Sequence, residues 1–234
     1  MGLIDWIFPK ECLSCGKGGA YLCFDCKKTL NPHPELCPSC HRPSKGFSLC
    51  RACSSEEMMA LEGIIVGFSY EKWLKKLILK LKFYHQHSVG EFLSQRAELL
   101  VLTHEELANA VDENNLVISW VPSYWWRHYF EKGYNQSQLL AQDLAKRLRL
   151  PSFSLAKKRK NTASQLTLKR SERLTNLQGA FVAQNLDKIK KWSLILLVDD
   201  VTTTGATLNQ LAMEIKKMRP DLKIWWLVLA RKIS

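Results

Sequence analysis

Eight cysteines, all before residue 54, form four Cys-x-x-Cys pairs: Cys12/Cys15, Cys23/Cys26, Cys37/Cys40 and Cys50/Cys53. Two intervening residues let both thiolates of a pair turn toward one ion, and tetrahedral Zn²⁺ is completed by a second such pair. In a reducing compartment thiols do not persist as disulfides, so metal ligation is the chemistry this spacing suits. The segments CLSCGKGGAYLCFDC and CPSCHRPSKGFSLCRAC repeat one plan: a knuckle, a turn rich in Gly, Pro or Ser, and a second knuckle preceded by Leu. The repeat pairs neighbouring knuckles, so that eight thiolates serve two zinc ions and His33 and His41 stand outside the ligand sets. A segment this short buries little core of its own, and the metal supplies its folding energy.

A second chemical cluster is ILLVDDVTTTGATL, residues 195–208. Hydroxyls and backbone N–H groups of Thr202, Thr203, Thr204, Gly205, Ala206 and Thr207 would cradle an anion, provided that the turn lies between a strand end and a helix start. Asp199 and Asp200, just before the turn, are carboxylates that accept hydrogen bonds from vicinal hydroxyls. Together they suit a ribose 5-phosphate. No Gly-Lys-Ser/Thr follows, so this is not a Walker loop.

The elements that must hold these groups follow from periodicity. Leu194–Val198 predicts a buried parallel strand ending at the two acids, and Leu208, Leu211, Ile215 and Met218 predict a helix after the turn. Leu116–Val121 is a strand candidate closed by Pro122, and Gln136–Leu148 carries a helical stripe at 139, 140, 144 and 148. Residues 72–84 read as an amphipathic basic helix with apolar residues at 74, 77, 78, 81 and 84, its stripe on the sheet and its lysines in solvent. KIWWLVLARK, Lys223–Lys232, is the last strand, with Trp225 and Trp226 on opposite sides and in the core.

The net charge of +12 is uneven. Residues 121–180 hold twelve basic residues against three acidic ones, a balance of +9. Within them Lys157, Lys158, Arg159, Lys160, Lys169, Arg170 and Arg173 face only Glu172, a density that suits an anionic partner. Trp125, Trp126, Tyr129 and Phe130 are packing residues or stacking faces, and aromatics beside cations favour single-stranded over duplex DNA. At 234 residues and 46% apolar composition the chain buries a real core, which excludes disorder. Its longest apolar runs fall well short of the ~20 residues of a spanning helix, so stable membrane insertion is not expected. The opening MGLIDWIFPK does not resemble a secretory signal, and the expected location is cytoplasmic.

The 195–208 segment resembles the signature of type I phosphoribosyltransferases, which bind phosphoribosyl pyrophosphate (PRPP). Beyond it, the order of four Cys-x-x-Cys pairs, YEKWLKKLILKLKFYHQ, VPSYWWRHYFEKGYNQSQLLAQDLA, RKNTASQLTLKRSERLTNLQGAF and the PRPP-type loop is similar to the ComF family of competence proteins, ComFC type, over nearly the whole chain. The family's Arg-Gly-Phe-Asn-Gln stands here as Lys132-Gly133-Tyr134-Asn135-Gln136. Its Arg…Thr…Gln…Arg…Asn…Gly-Ala-Phe stands as Arg159, Thr162, Gln165, Arg173, Asn176, Gly179, Ala180 and Phe181. Lys at 132 keeps the charge but not the bidentate fork of Arg.

The resemblance implies an α/β fold: a type I phosphoribosyltransferase-like, mostly parallel sheet flanked by helices over 60–234, preceded by a small zinc-ribbon module over 1–55. It places a pyrophosphate loop at Ser123–Arg127, with Ser123 and Arg127 as contacts, and a hood over the pocket at 157–173. Asp199 and Asp200 become the catalytic pair of an enzyme, if the chain is one. Lys132, Lys157, Lys158, Arg159, Lys160, Lys169, Arg170 and Arg173 become DNA or phosphate contacts. The implied ligands are zinc, PRPP or a related ribose phosphate with Mg²⁺, and single-stranded DNA, with other DNA-uptake or recombination proteins as partners. Three functions stay open: a competence factor handling incoming single-stranded DNA, an active phosphoribosyltransferase on a nucleobase or other nitrogen acceptor, and a zinc-module scaffold. Metal analysis of protein purified without chelator should find two zinc ions per chain, and a stoichiometry well below two removes one of the two sites.

Overall fold

The computed structural model describes residues 11–55, 60–70, 74–78, 87–123, 135–159, 179–202 and 205–231. Among them six strands form: β1 (Gly63–Ser69), β2 (Leu116–Trp120), β3 (Ala156–Lys158), β4 (Phe181–Ala183), β5 (Leu194–Thr202) and β6 (Lys223–Arg231). Four make an all-parallel sheet in the order β1-β6-β5-β2, while β3 and β4 pair separately as two antiparallel strands. Parallel strands need cover on both faces, which is why Leu194–Val198 and Leu116–Trp120 are buried throughout. Trp225 and Trp226 are both in the core, as expected of neighbours on a doubly covered strand.

The helices are α1 (Phe24–Lys28), α2 (Arg51–Ser55), α3 (His87–Thr103), α4 (Glu105–Asp112), α5 (Gln136–Leu148) and α6 (Ala206–Met218). Residues 74–78 form a further turn of helix with Leu74, Leu77 and Ile78 buried and Lys75 and Lys76 exposed, the face expected there; the rest of 72–84 lies outside the described residues. Helix α5 packs on β2, β5 and α3. Beyond α5 the chain returns along the outer edge of β2. Ile118 pairs in parallel with Ser152, the Ile118 N–H donates to the Pro151 carbonyl at 3.0 Å, and the Ser119 hydroxyl accepts from the Leu155 N–H at 3.2 Å. The chain therefore leaves β2 outward through α5 but leaves β5 in the other direction, through α6 to β6. With right-handed crossovers, the rule for parallel strands, these two helices lie on opposite faces, and the reversal makes the carboxyl ends of β2 and β5 the place where such sheets form a ligand crevice.

Two expectations are corrected. Strand β5 does not stop at the acids: Asp199 stays in register with Val228, Val201 with Ala230 and Thr202 with Arg231, because β6 offers a partner along its whole length. Met218 sits on the predicted stripe of α6 yet is 64% exposed, since it closes the helix beyond the edge of the core that holds Leu208, Leu211 and Ile215.

The cysteine-rich segment docks on the free edge of β1. Ser48 bridges Gly63, the Leu49 N–H donates to the Glu62 carbonyl at 2.9 Å, and Pro32 bridges Phe68. Its first half buries Cys12, Leu22 and Cys23 against Leu30 and Phe92 of α3. Gly63 is closed in from both sides, with no room for a methyl group: a Cβ there would lie against the Trp225 ring of β6 and 2.6 Å from the Phe47 carbonyl oxygen of the module. Gly63→Ala should cost about 1–3 kcal/mol, read as a lower urea midpoint; an unchanged midpoint would mean that β1 is not packed this closely between Trp225 and Phe47.

Candidate functional site

Two sulfur clusters form, Cys12/Cys15/Cys23/Cys26 and Cys37/Cys40/Cys50/Cys53, the Sγ atoms of each lying within 4.8 Å of one another. The repeat seen in the sequence is geometric as well. The Cys23 and Cys50 N–H groups donate to the Cys12 and Cys37 sulfurs, both at 3.4 Å. Cys15 Sγ lies 3.7 Å from Cys23 Sγ, and Cys40 Sγ lies 3.6 Å from Cys50 Sγ. A tetrahedron with zinc–sulfur bonds of about 2.3 Å has edges of about 3.8 Å, so the donor sets fit two zinc ions.

One thiol of each cluster, Cys12 and Cys40, is already biased toward that role. Burial opposes ionisation of Cys12, but the N–H groups of Cys23, Cys15 and Ser14 outweigh it and bring its pKa down to about 6. The Arg42 backbone and then its side chain do the same for Cys40, also to about 6. Despite hydrogen bonds from Ser14 and Ser39, Cys26 and Cys53 are pushed up to about 12, chiefly by neighbouring sulfurs and burial. Four crowded thiols ionise together only around a cation. His33 and His41 lie outside both clusters, as expected: His33 Nδ1 bonds the Pro34 carbonyl at 2.7 Å, and His41 faces Arg231.

The second site is the crevice at the ends of β2 and β5. Asn135 caps α5, its side-chain oxygen accepting from the Gln138 N–H at 3.3 Å while its Nδ2 donates to the Val121 carbonyl at 2.8 Å. That pins the start of α5 to the end of β2. Two residues on, Ser137 Oγ donates to Asp199 Oδ1 at 2.8 Å, and the same oxygen accepts from the Asp200 N–H at 2.9 Å. Asp200 Oδ1 accepts from the Val201 N–H at 2.8 Å. Beyond β5, Gly205 takes a left-handed φ of 72°, a conformation that suits glycine, and stands at the N-cap of α6, where it offers no capping side chain of its own. Two helix N-termini and two half-buried carboxylates thus flank one strand exit.

Of the residues expected here, Asp199, Asp200, Thr202, Gly205, Ala206 and Thr207 line that exit in sequence, with Thr202 and Gly205 buried. Ser123 is exposed just past the end of β2. Lys157 and Lys158 lie in β3, with Arg159 just beyond; Lys157 and Arg159 are exposed, and the Lys158 ammonium sits 5.9 Å over the Phe181 ring. Thr203, Thr204, Arg127, Lys132, Lys160, Lys169, Arg170 and Arg173 lie outside the described residues, as do Trp125, Trp126, Tyr129 and Phe130. Sequence reasoning missed Ser137 and the bracing role of Asn135. An Asn just before a helical stripe is a cap signal that could have found the second; nothing local marks the first. Gln136 is also buried here, its Nε2 without a partner among the described residues.

Comparison with known proteins agrees with this division of chemistry. Residues 3–54 match the family described as Double zinc ribbon domain, and residues 135–234 match the Phosphoribosyl transferase domain. The chain is 28% identical over 231 residues to Competence protein F of Haemophilus influenzae, covering 90% of this chain and 97% of the relative. It is 30% identical over 209 residues to DNA utilization protein YhgH of Shigella flexneri, covering 88% and 89%. With Competence protein ComFC of Streptococcus pneumoniae it shares 29% over 213 residues, covering 88% and 87%. With paired thiolate clusters ahead of an acid-lined strand exit, and relatives alike over nearly their whole length, the chain belongs to the ComF family of competence proteins, a double zinc ribbon joined to a phosphoribosyltransferase domain.

Proposed function

We propose that the protein handles incoming single-stranded DNA in natural transformation, and that its crevice binds PRPP or a related ribose 5-phosphate. The observation that carries the pocket is Asp199, held by Ser137 from the start of one helix and followed within a few residues by the Gly205 start of another. In this reading the carboxylates of Asp199 and Asp200 accept the ribose hydroxyls. The turn at 202–207 takes the 5-phosphate on backbone N–H groups and hydroxyls. Ser137 orients Asp199 through Oδ1 and so fixes the direction in which its carboxylate faces the ligand. Ser123 and Arg127 would face the pyrophosphate. Mg²⁺ would enter with the ligand, keeping several waters and neutralising pyrophosphate charge.

The DNA reading is supported by the relatives' names, Competence protein and DNA utilization protein, and by the cations that begin on β3 and run to Arg173. A second reading, turnover of PRPP with a nitrogen acceptor, is favoured by the intact acidic pair at the strand end. There the N–H groups and cations around the crevice would stabilise departing pyrophosphate. Pyrophosphate release across a panel of bases separates a pocket from an enzyme.

Calorimetry with PRPP and Mg²⁺ should show binding that Asp199→Ala with Asp200→Ala weakens by at least about tenfold, roughly 1.4 kcal/mol. Ser137→Ala should weaken it less than the double variant does, since it removes one hydrogen bond that orients Asp199 and leaves both carboxylates in place. Unchanged affinity in the double variant would refute the placement of the ribose. Single-stranded oligonucleotides should bind with an affinity that falls steeply with salt. Replacing Lys157, Lys158 and Arg159 with Gln should flatten the slope of log K on log salt by about 2, whereas a flat response in the unaltered protein would sink the DNA reading.

A further inference from the structure

Arg231, the last residue of β6, is one of the largest fully buried side chains in the protein, at 2% exposure. A buried guanidinium needs a counter-charge and acceptors for its N–H groups. Its backbone is locked in the sheet, paired with Thr202 on one side and Ser69 on the other. Its side chain runs into the second zinc ribbon, where one terminal nitrogen donates to the Pro38 carbonyl at 2.9 Å and to His41 Nε2 at 2.8 Å. Both acceptors belong to the turn that Cys37 and Cys40 define. Burial works against the cation and the nearby Cys37 works for it, and the turn that supplies both acceptors carries two of the four sulfurs of the second cluster.

The internal repeat shows what is unusual about this turn. In the first ribbon the corresponding position is Gly16, at φ 80°, whose N–H donates to the Cys12 carbonyl at 2.8 Å. In the second it is His41, at φ 61°, whose N–H donates to the Cys37 carbonyl at 3.0 Å. The backbone is the same, and the repeat demonstrates that glycine satisfies it. A histidine in the left-handed region carries a conformational cost that glycine avoids. The compensating feature is the imidazole contact with Arg231, which the first ribbon has no need of.

We propose that Arg231 is the outer-shell counter-ion of the second zinc–thiolate centre, with His41 retained in a strained turn to hold it there. Four thiolates around a divalent cation leave a net charge of about −2. The guanidinium offsets part of it from a rigid strand end. Through Arg231, the second centre is tied to the strand end beside Thr202, whereas the first centre, packed on Phe92, is not.

The test is zinc release from the full-length, two-zinc protein into a chromogenic chelator, with alkylation and mass spectrometry reporting which cysteines become reactive first. In Arg231→Met, one zinc equivalent should leave about 10–100-fold faster, the range typical of lost outer-shell partners. Cys37, Cys40, Cys50 and Cys53 should label first, while the first centre keeps its unaltered rate. His41→Gly, which restores the backbone preference seen at Gly16, keeps the test decisive if Arg231→Met fails to fold: it should accelerate release severalfold and only at the second centre. Unchanged release in His41→Gly, or acceleration shared equally by both centres in either variant, overturns the proposal.

Discussion

Strand β5 is hydrogen-bonded on both sides, to β2 and to β6, and its first five residues are wholly buried between two covered faces. Such a strand can neither slide nor turn over without exposing its apolar run, so the point where it leaves the sheet is fixed. Everything chemical at that end inherits this fixity. The two carboxylates come at the first positions where burial relaxes, and the turn after them lies between a rigid strand and the start of α6. Asn135 and Ser137 extend the constraint sideways, tying α5 to β2 and to Asp199, so that two crossovers of opposite direction meet at one crevice.

The zinc ribbons solve a different problem at the other side of the sheet. An exposed edge of β1 would be a template for unwanted pairing, and the second ribbon covers it at Gly63 while Pro32, in the link between the ribbons, covers it at Phe68. In return the sheet supplies what a short cysteine-rich segment lacks, a large apolar surface: Phe47 joins the main core, and Leu13, Tyr21 and Leu30 pack against it. Metal and sheet thus share the stabilisation of the module. The two halves meet through backbone as well as side chains, which is why Gly63 has no space for a Cβ. Contacts near both ends of β1, and Arg231 at the end of β6, make the module a fixed part of the sheet's border.

Much of this was legible from local pattern. The cysteine spacing determined the two tetrahedral clusters and even their pairing, because four thiolates gather around an ion by short-range geometry that a repeat of knuckles encodes. The apolar run before Asp199 determined a buried strand, and the stripe at 139–148 determined α5, because periodicity reports which side of an element must leave water. The length of β5 was not legible: whether an Asp-Asp-Val-Thr tail stays in a ladder depends on how far β6 runs beside it. Met218 fits the helical stripe, yet only the extent of the core decides where burial stops. Nor could Ser137 be linked to Asp199, or His41 to Arg231, since 62 and 190 residues separate them. Residue type and spacing determine what chemistry a chain can perform and which local elements it forms. The tertiary structure alone decides which distant side chains share a strand end, because that choice follows from strand order and crossover direction, which no local window contains.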